Sequence, residues 1–339
     1  MVRSARRGRR QSGRSRLRPP LSLAPLVAAF LLAAGCAQAG SDAALTEGPG
    51  RVPPPASTLP RSAPPASGPG ALITPAGVVV PVVSRAEDQW TVTTPCNRTA
   101  TVTGGTHVPS ATIVLDAGHG GSDPGATSPD GLAEKAVNLS VTGYAKAALE
   151  RNGVSVLVTR TGDYDLELAP RAQIAKAVNP RAFVSIHHNA EPDGPWPGPG
   201  SETYYQMGSS DSRRLAGLIY EEIVRALSRF SVAWVADRDA GAKYRPGRRG
   251  DYYAVLRQPA PVVSALVEFA YITNPAEAEL IGRPEVQQVE GEALARGVVR
   301  YLTSSDPGSG FVEPYPRPDP PAGPQSGAAT PPPCTDPPL

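Results

Sequence analysis

Short apolar runs that end in an ionisable residue constrain this chain more than any other feature. Thr112-Ile113-Val114-Leu115 leads into Asp116-Ala117-Gly118-His119, Phe183-Val184-Ser185-Ile186 closes on His187, and Val262 to Val267 closes on Glu268. Uninterrupted apolar runs are the form strands take when helices cover both faces of their sheet. The pattern places strands at 112–116, 154–159, 182–187, 202–206 and 262–268, with helices at 135–151, 169–178, 209–229 and 284–303. In the first helix Val137, Val141, Tyr144 and Ala148 recur on one face at helical spacing, and Gly153 follows as a stop signal. Asn274-Pro275-Ala276-Glu277 reads as an N-cap, a proline in the first turn and an acid three residues on. Alternating strands and helices predict an α/β domain.

The ionisable residues at these strand ends carry the chemistry. The chain has four histidines in 339 residues, and two of them stand beside Gly or Asn at or just past a strand. His119 and His187, with Glu134 between them in sequence, make a candidate three-ligand zinc set. Three protein ligands leave a fourth position for water, the catalytic rather than the structural arrangement. Glu268 is a candidate proton carrier, because a carboxylate closing an apolar strand is costly without a partner. The competing readings are ordinary ones: a histidine packed in a glycine-rich turn, a core histidine, and a first-turn glutamate favoured by the helix dipole. Successive strand residues point to opposite faces, so His187 and His188 do not share one metal. His107 reads as a surface histidine.

Taken together, these segments resemble the zinc-dependent N-acetylmuramoyl-L-alanine amidases of the amidase-3 type. The resemblance rests on Asp116-Ala117-Gly118-His119-Gly120-Gly121, Asp123-Pro124-Gly125-Ala126, Glu134-Lys135, Ser185-Ile186-His187-His188-Asn189-Ala190 and Glu268-Phe269-Ala270-Tyr271-Ile272-Thr273-Asn274-Pro275. Thr159-Arg160 and Leu168-x-x-Arg171 also fit, and the match runs from Ala111 to Leu302. Ala117 stands where the family has Pro, and Phe269-Ala270-Tyr271 where it has Leu-Gly-Phe. The resemblance implies one twisted mixed sheet. It selects His119, Glu134 and His187 as Zn2+ ligands and leaves Glu268 as general acid/base. It also implies that peptidoglycan is the substrate, cut between N-acetylmuramic acid and L-alanine. Asn189 becomes a plausible amide-recognising group, and His188 a cleft-wall or packing residue. Some relatives carry an inhibitory helix after the second histidine. Here Glu191 to Gly200 holds four prolines and three glycines and cannot form one; Trp196 in that loop is a candidate groove residue. A zinc carboxypeptidase or endopeptidase would use the same ligand set, and a non-catalytic wall-binding regulator remains a further alternative.

The flanks read differently. Eight arginines and no acids fill the first twenty residues, ahead of the apolar stretch Leu21 to Ala34. That stretch is short for a membrane span and fits a signal peptide over 1–39. Ala37-Gln38-Ala39 offers a cleavage site. Leu32-Ala33-Ala34-Gly35-Cys36 resembles a lipobox with its Leu one position early, which would place a lipid on Cys36. Export to the cell envelope follows from either. Without the leader's eight arginines, 25 basic residues face 31 acidic ones, a balance that argues against nucleic-acid binding. The forty prolines concentrate in a linker (40–71) and a tail (306–339), both read as disordered. Between them lie a small β-rich segment (72–106) and the catalytic domain (107–305), expected to act as a monomer. Cys96 and Cys334 flank that domain; in an oxidising compartment the pair permits one disulfide tethering the tail to the β-rich segment.

Overall fold

The computed structural model describes residues 68–316 and 333–339. The expected leader, the lipid site at Cys36 and most of the linker lie outside the described residues. Five short strands come first: β1 (Ala71–Ile73), β2 (Val79–Ala86), β3 (Gln89–Thr93), β4 (Thr99–Thr103) and β5 (Thr106–Val108). They form an antiparallel sheet in the order β4-β3-β2-β1-β5 around Leu72, Val80, Trp90, Val92 and Val102. The β-rich segment is thus a small layer of its own, and β1 opens at the last residue assigned to the linker. His107 stays at the surface, stacked on Trp90.

The part of the chain from Ile113 onward holds the second sheet and the candidate site. Its elements in chain order are β6 (Ile113–Ala117), α1 (Glu134–Arg151), β7 (Val156–Val158), α2 (Leu168–Val178), β8 (Ala182–Asn189), β9 (Gly194–Pro195), β10 (Glu202–Tyr205), α3 (Ser210–Leu227), β11 (Val235–Ala236), β12 (Ala242–Lys243), β13 (Pro246–Gly247), β14 (Gly250–Asp251), α4 (Ala254–Arg257), β15 (Ser264–Tyr271), α5 (Pro275–Ile281) and α6 (Pro284–Thr303). Six of these strands build a mixed sheet in the order β12-β10-β15-β8-β6-β7, parallel except between β10 and β15. One face packs Ile113, Leu115, Val184, Ile186 and Val267 against α1, α3 and α6. The other packs Val114, Phe183 and Leu266 against α2 and α4, joined by Ala71 and Val79 of the small sheet. Each fully buried side chain of this kind contributes about 1.5–3 kcal/mol, and this two-sided burial is why the strands lack alternation.

Two local expectations hold at the atomic level. Asn274 caps α5 through Ala276 and Glu277 N–H, with Pro275 in the first turn. Cys96 and Cys334 form a disulfide, Cα–Cα 5.6 Å. The reading of a disordered tail from 306 onward needs correction for the described part. Asp306 receives Arg300 and Arg214, Phe311 bridges to Ala242, and Arg213 lies 3.4 Å over the Phe311 ring. Averaged over a proline-rich stretch, composition conceals the two or three side chains that anchor it.

Candidate metal centre and its groove

Strand ends β6, β8 and β15 converge on one spot, together with the first residue of α1. In the parallel register Glu268 stands opposite His187, so those two side chains share a sheet face. Glu134 arrives from the helix start and is almost wholly buried. His119 Nε2 lies 3.1 Å from Glu134 Oε2, and His187 Nδ1 lies 3.1 Å from Oε1. Donor atoms of His119, Glu134 and His187 all fall within 4.8 Å of one another, the spacing one cation needs. The three residues chosen from sequence are therefore brought together. The fit is further marked by Glu268 Oε2, buried without a hydrogen-bond partner at the edge of the same groove.

Backbone shape makes this approach possible. His119 adopts φ +61°, a left-handed conformation costing an L-residue roughly 1–2 kcal/mol. A Cβ on Gly118 would sit 2.2 Å from the His187 ring, so only glycine admits that imidazole. Two buried arginines hold the strained loop. Arg160 donates to the carbonyls of Ala117, Gly118 and Lys135, while Arg171 donates to those of Ala117, His119 and Leu166. Asp116 balances Arg171 at 2.8 Å and accepts from Thr159 and Ser185. Burial would raise the Asp116 carboxyl, but Arg171 and the two hydroxyls hold it below the usual range.

Electrostatics sort the groups. Burial opposes charge on Glu134, yet the His119 and His187 imidazoles hold its carboxyl well below the ordinary value. Against its own burial, His119 is pushed up to about 10 by Asp123, 2.8 Å from Nδ1, and by Glu134. A carboxylate on the far ring nitrogen fixes which nitrogen faces a metal. Burial, reinforced by the charges of Glu134 and Glu202, drives the Glu268 carboxyl well above its ordinary value, opposite in direction to Glu134.

Other candidates fare differently. His188 does not reach the groove: its side chain is fully buried on the helical face. There its ring contacts Asn138 (2.8 Å), Glu290 (3.3 Å) and Phe269. Asn138 in turn donates to Glu134 Oε1 at 3.1 Å, making His188 a support for the ligand rather than a substrate contact. Both ends of the Asn189 amide are engaged, one by Glu202 and one by Ala190 N–H, and Asn189 is not among the groove-lining residues. Trp196 is exposed but pairs with the Trp234 carbonyl away from the lining. Asp116, Asn138 and Glu290 received no role from sequence. Asp116 and Asn138 flank the ligand motifs, whereas Glu290 has no local signal, since it meets His188 from 102 positions away. The glutamates and aspartates of a second acidic group (Glu202, Asp237, Asp239) also lie within metal-binding spacing, but Lys243 is already inserted between Glu202 and Asp239.

The groove itself encloses about 860 Å³ and is lined by His119, His187 and Glu268 with Leu168, Tyr253 and Val255. A mixed sheet with helices on both faces, with two imidazoles and a carboxylate at or just past its strand ends and a second carboxylate at a helix start, defines the class: an α/β domain with a candidate three-residue metal site. The family follows from comparison. Residues 113–300 match the family model Amidase_3, N-acetylmuramoyl-L-alanine amidase, and this chain belongs to that family. Among relatives, the uncharacterized protein YqiI of Bacillus subtilis is 35% identical over 56% of this chain and 84% of its own length. The germination-specific N-acetylmuramoyl-L-alanine amidase of the same organism is 30% identical over 56% of this chain and 79% of its own length. The solved N-acetylmuramoyl-L-alanine amidase AmiC2 of Nostoc punctiforme is 34% identical over 56% of this chain and 96% of that chain, with a TM-score of 0.48.

Proposed function

We propose that this protein is a zinc-dependent N-acetylmuramoyl-L-alanine amidase that acts on peptidoglycan outside the cytoplasm. The observation carrying this reading is the meeting of a three-residue donor set with a buried Glu268 whose Oε2 has no hydrogen-bond partner, beside one groove. His119, Glu134 and His187 would hold the ion. Zinc bound there would polarise the scissile carbonyl and lower the pKa of an attached water. Glu268 moves the protons: it accepts one from the attacking water and delivers one to the L-alanine nitrogen as the C–N bond breaks. The products are a lactyl carboxylate on the sugar and a free amine on the peptide.

Support for an oxidising, exported setting comes from the Cys96–Cys334 disulfide. Among the described residues no helix is long and apolar enough to cross a membrane. Lipid attachment at Cys36 remains part of the proposal and rests on the sequence alone. The test is digestion of purified peptidoglycan with zinc-loaded protein and analysis of the new ends. New L-alanine amino termini with lactyl carboxylates are expected. New peptide carboxylates without them would favour the peptidase reading.

A further inference from the structure

The last seven residues are fastened beside the metal groove by more than the disulfide. Asp336 Oδ1 accepts the Cys96 N–H at 2.7 Å, and its Oδ2 pairs with the Arg98 guanidinium at 2.7 Å. Leu339 packs on the core of the small sheet. Thr335 N–H donates to Asp165 Oδ2 at 2.8 Å, and Asp165 Oδ1 receives the Ser122 N–H (2.6 Å) and hydroxyl (2.7 Å). Ser122 belongs to the loop that begins at His119. Four contacts of different kinds thus hold a segment with three prolines, Pro333, Pro337 and Pro338, that loses little entropy on ordering.

What this segment faces is the informative point. Cys334 lines the same groove as His119, His187 and Glu268. Leu168, 48% exposed, lines it too and gives the groove an apolar surface. Of the seven residues Cys334 is the one in the lining, and the anchors at Thr335 and Asp336 beside it fix it there. We propose that Pro333–Leu339, clipped by Cys96–Cys334, is a substrate-binding wall: it contacts the peptidoglycan beside the scissile amide and sets affinity rather than the chemical step. This inference rests on the amidase reading and names a further part of its substrate site.

The experiment compares oxidised full-length protein with two variants. One carries Cys96→Ser and Cys334→Ser; the other carries Cys96→Ser and ends at Pro332. For each, zinc content, melting temperature and steady-state kinetics on a soluble disaccharide-peptide are measured. Affinity for the same disaccharide-peptide is measured calorimetrically in a Glu268→Gln background, which reports binding even if no cleavage occurs. A lost binding contact raises KM, here by about tenfold for the truncated form, with a smaller change in kcat and zinc retained. The double serine variant, which keeps the Asp336 and Thr335 contacts, should fall between. Unchanged KM and unchanged affinity in the truncated form would overturn the proposal. So would a joint loss of zinc and kcat at constant KM, which would reduce the segment to a brace for the His119 loop. If the truncated form fails to fold, the double serine variant decides by the same criteria. Failure of the amidase reading looks different: the parent would bind the disaccharide-peptide yet release no L-alanine terminus.

Discussion

Two acidic clusters meet on one sheet, where Glu202 of β10 pairs with Glu268 of β15, and they are completed in opposite ways. In the cluster of Glu202, Asp237 and Asp239 the cation is built into the chain: Lys243 is buried between Glu202 and Asp239. Burial pushes the Glu202 carboxyl up even with that lysine beside it. In the cluster around Glu134 the two groups facing the carboxylate are imidazoles, which become neutral metal ligands by giving up a proton. Donor spacing alone does not distinguish the clusters, since both satisfy it. The distinction lies in who supplies the positive charge. A fixed ammonium closes a cluster, whereas two imidazoles beside an orphaned Glu268 oxygen leave one open to an ion and a substrate.

The sharpest break in this comparison is removal of a ligand. His187→Ala should abolish metal retention after dialysis, while Lys243→Met should leave the metal at one equivalent, both read by metal analysis. A His187→Ala protein that keeps its zinc would show that the cluster around Glu134 is not the site. Next in size is Glu268→Gln. It should retain zinc and lose roughly 10²–10⁴-fold in turnover, the usual cost of losing a general acid/base. If this variant loses zinc and Glu134→Gln keeps it, the two carboxylates have exchanged roles. Third, Lys243→Met should cost stability rather than chemistry. Stranding buried carboxylates by removing their partner typically costs about 3–5 kcal/mol, measured by denaturant unfolding. A variant of unchanged stability would mean that the second cluster is held by its other hydrogen bonds, including those from Asn189 and Tyr204 to Glu202.

The two clusters were unequally legible in sequence. His119, His187 and Glu268 sit at or just past the ends of apolar runs, Glu134 sits at a helix entrance, and a family resemblance could assign their roles. The central strands were readable because two-sided burial writes itself as continuous apolar sequence, and the first helix because its apolar residues recur at helical spacing. Lys243 and Glu202 carry no such mark, because their pairing depends on β10 and β12 lying side by side. Arg160 and Arg171 were visible as motif residues, but their task is to bind the carbonyls of a left-handed turn, and backbone carbonyls leave no trace in a sequence. The N-terminal sheet and the C-terminal wall were partly legible. β-rich composition and cysteine parity pointed to both, whereas the anchors Arg98, Asp165 and Leu339 are single residues without pattern.

The smallest expected effect separates support from coordination. His188 N–H and Asn138 Nδ2 both donate to Glu134 Oε1 at 3.1 Å, and the His188 ring steadies Asn138 through its Oδ1. Deleting the ring therefore removes one of two restraints on the ligand and leaves the backbone one in place. Glu290 complicates a simple alanine variant, because its carboxylate would be stranded in the core with one oxygen already unpaired. The informative variant is His188→Ala combined with Glu290→Met, compared with Asn138→Ala. Loss of an outer partner of a metal ligand typically costs about 10–100-fold in affinity, so both variants should still bind one zinc, but more weakly in competition with a chromophoric chelator. The absorption spectrum of the cobalt-substituted protein should shift with the loosened carboxylate. Unchanged affinity and an unchanged spectrum would assign His188 and Glu290 to packing α6 onto the sheet, and would leave Glu134 held by its own backbone contacts, chiefly the Ala126 N–H at 2.9 Å.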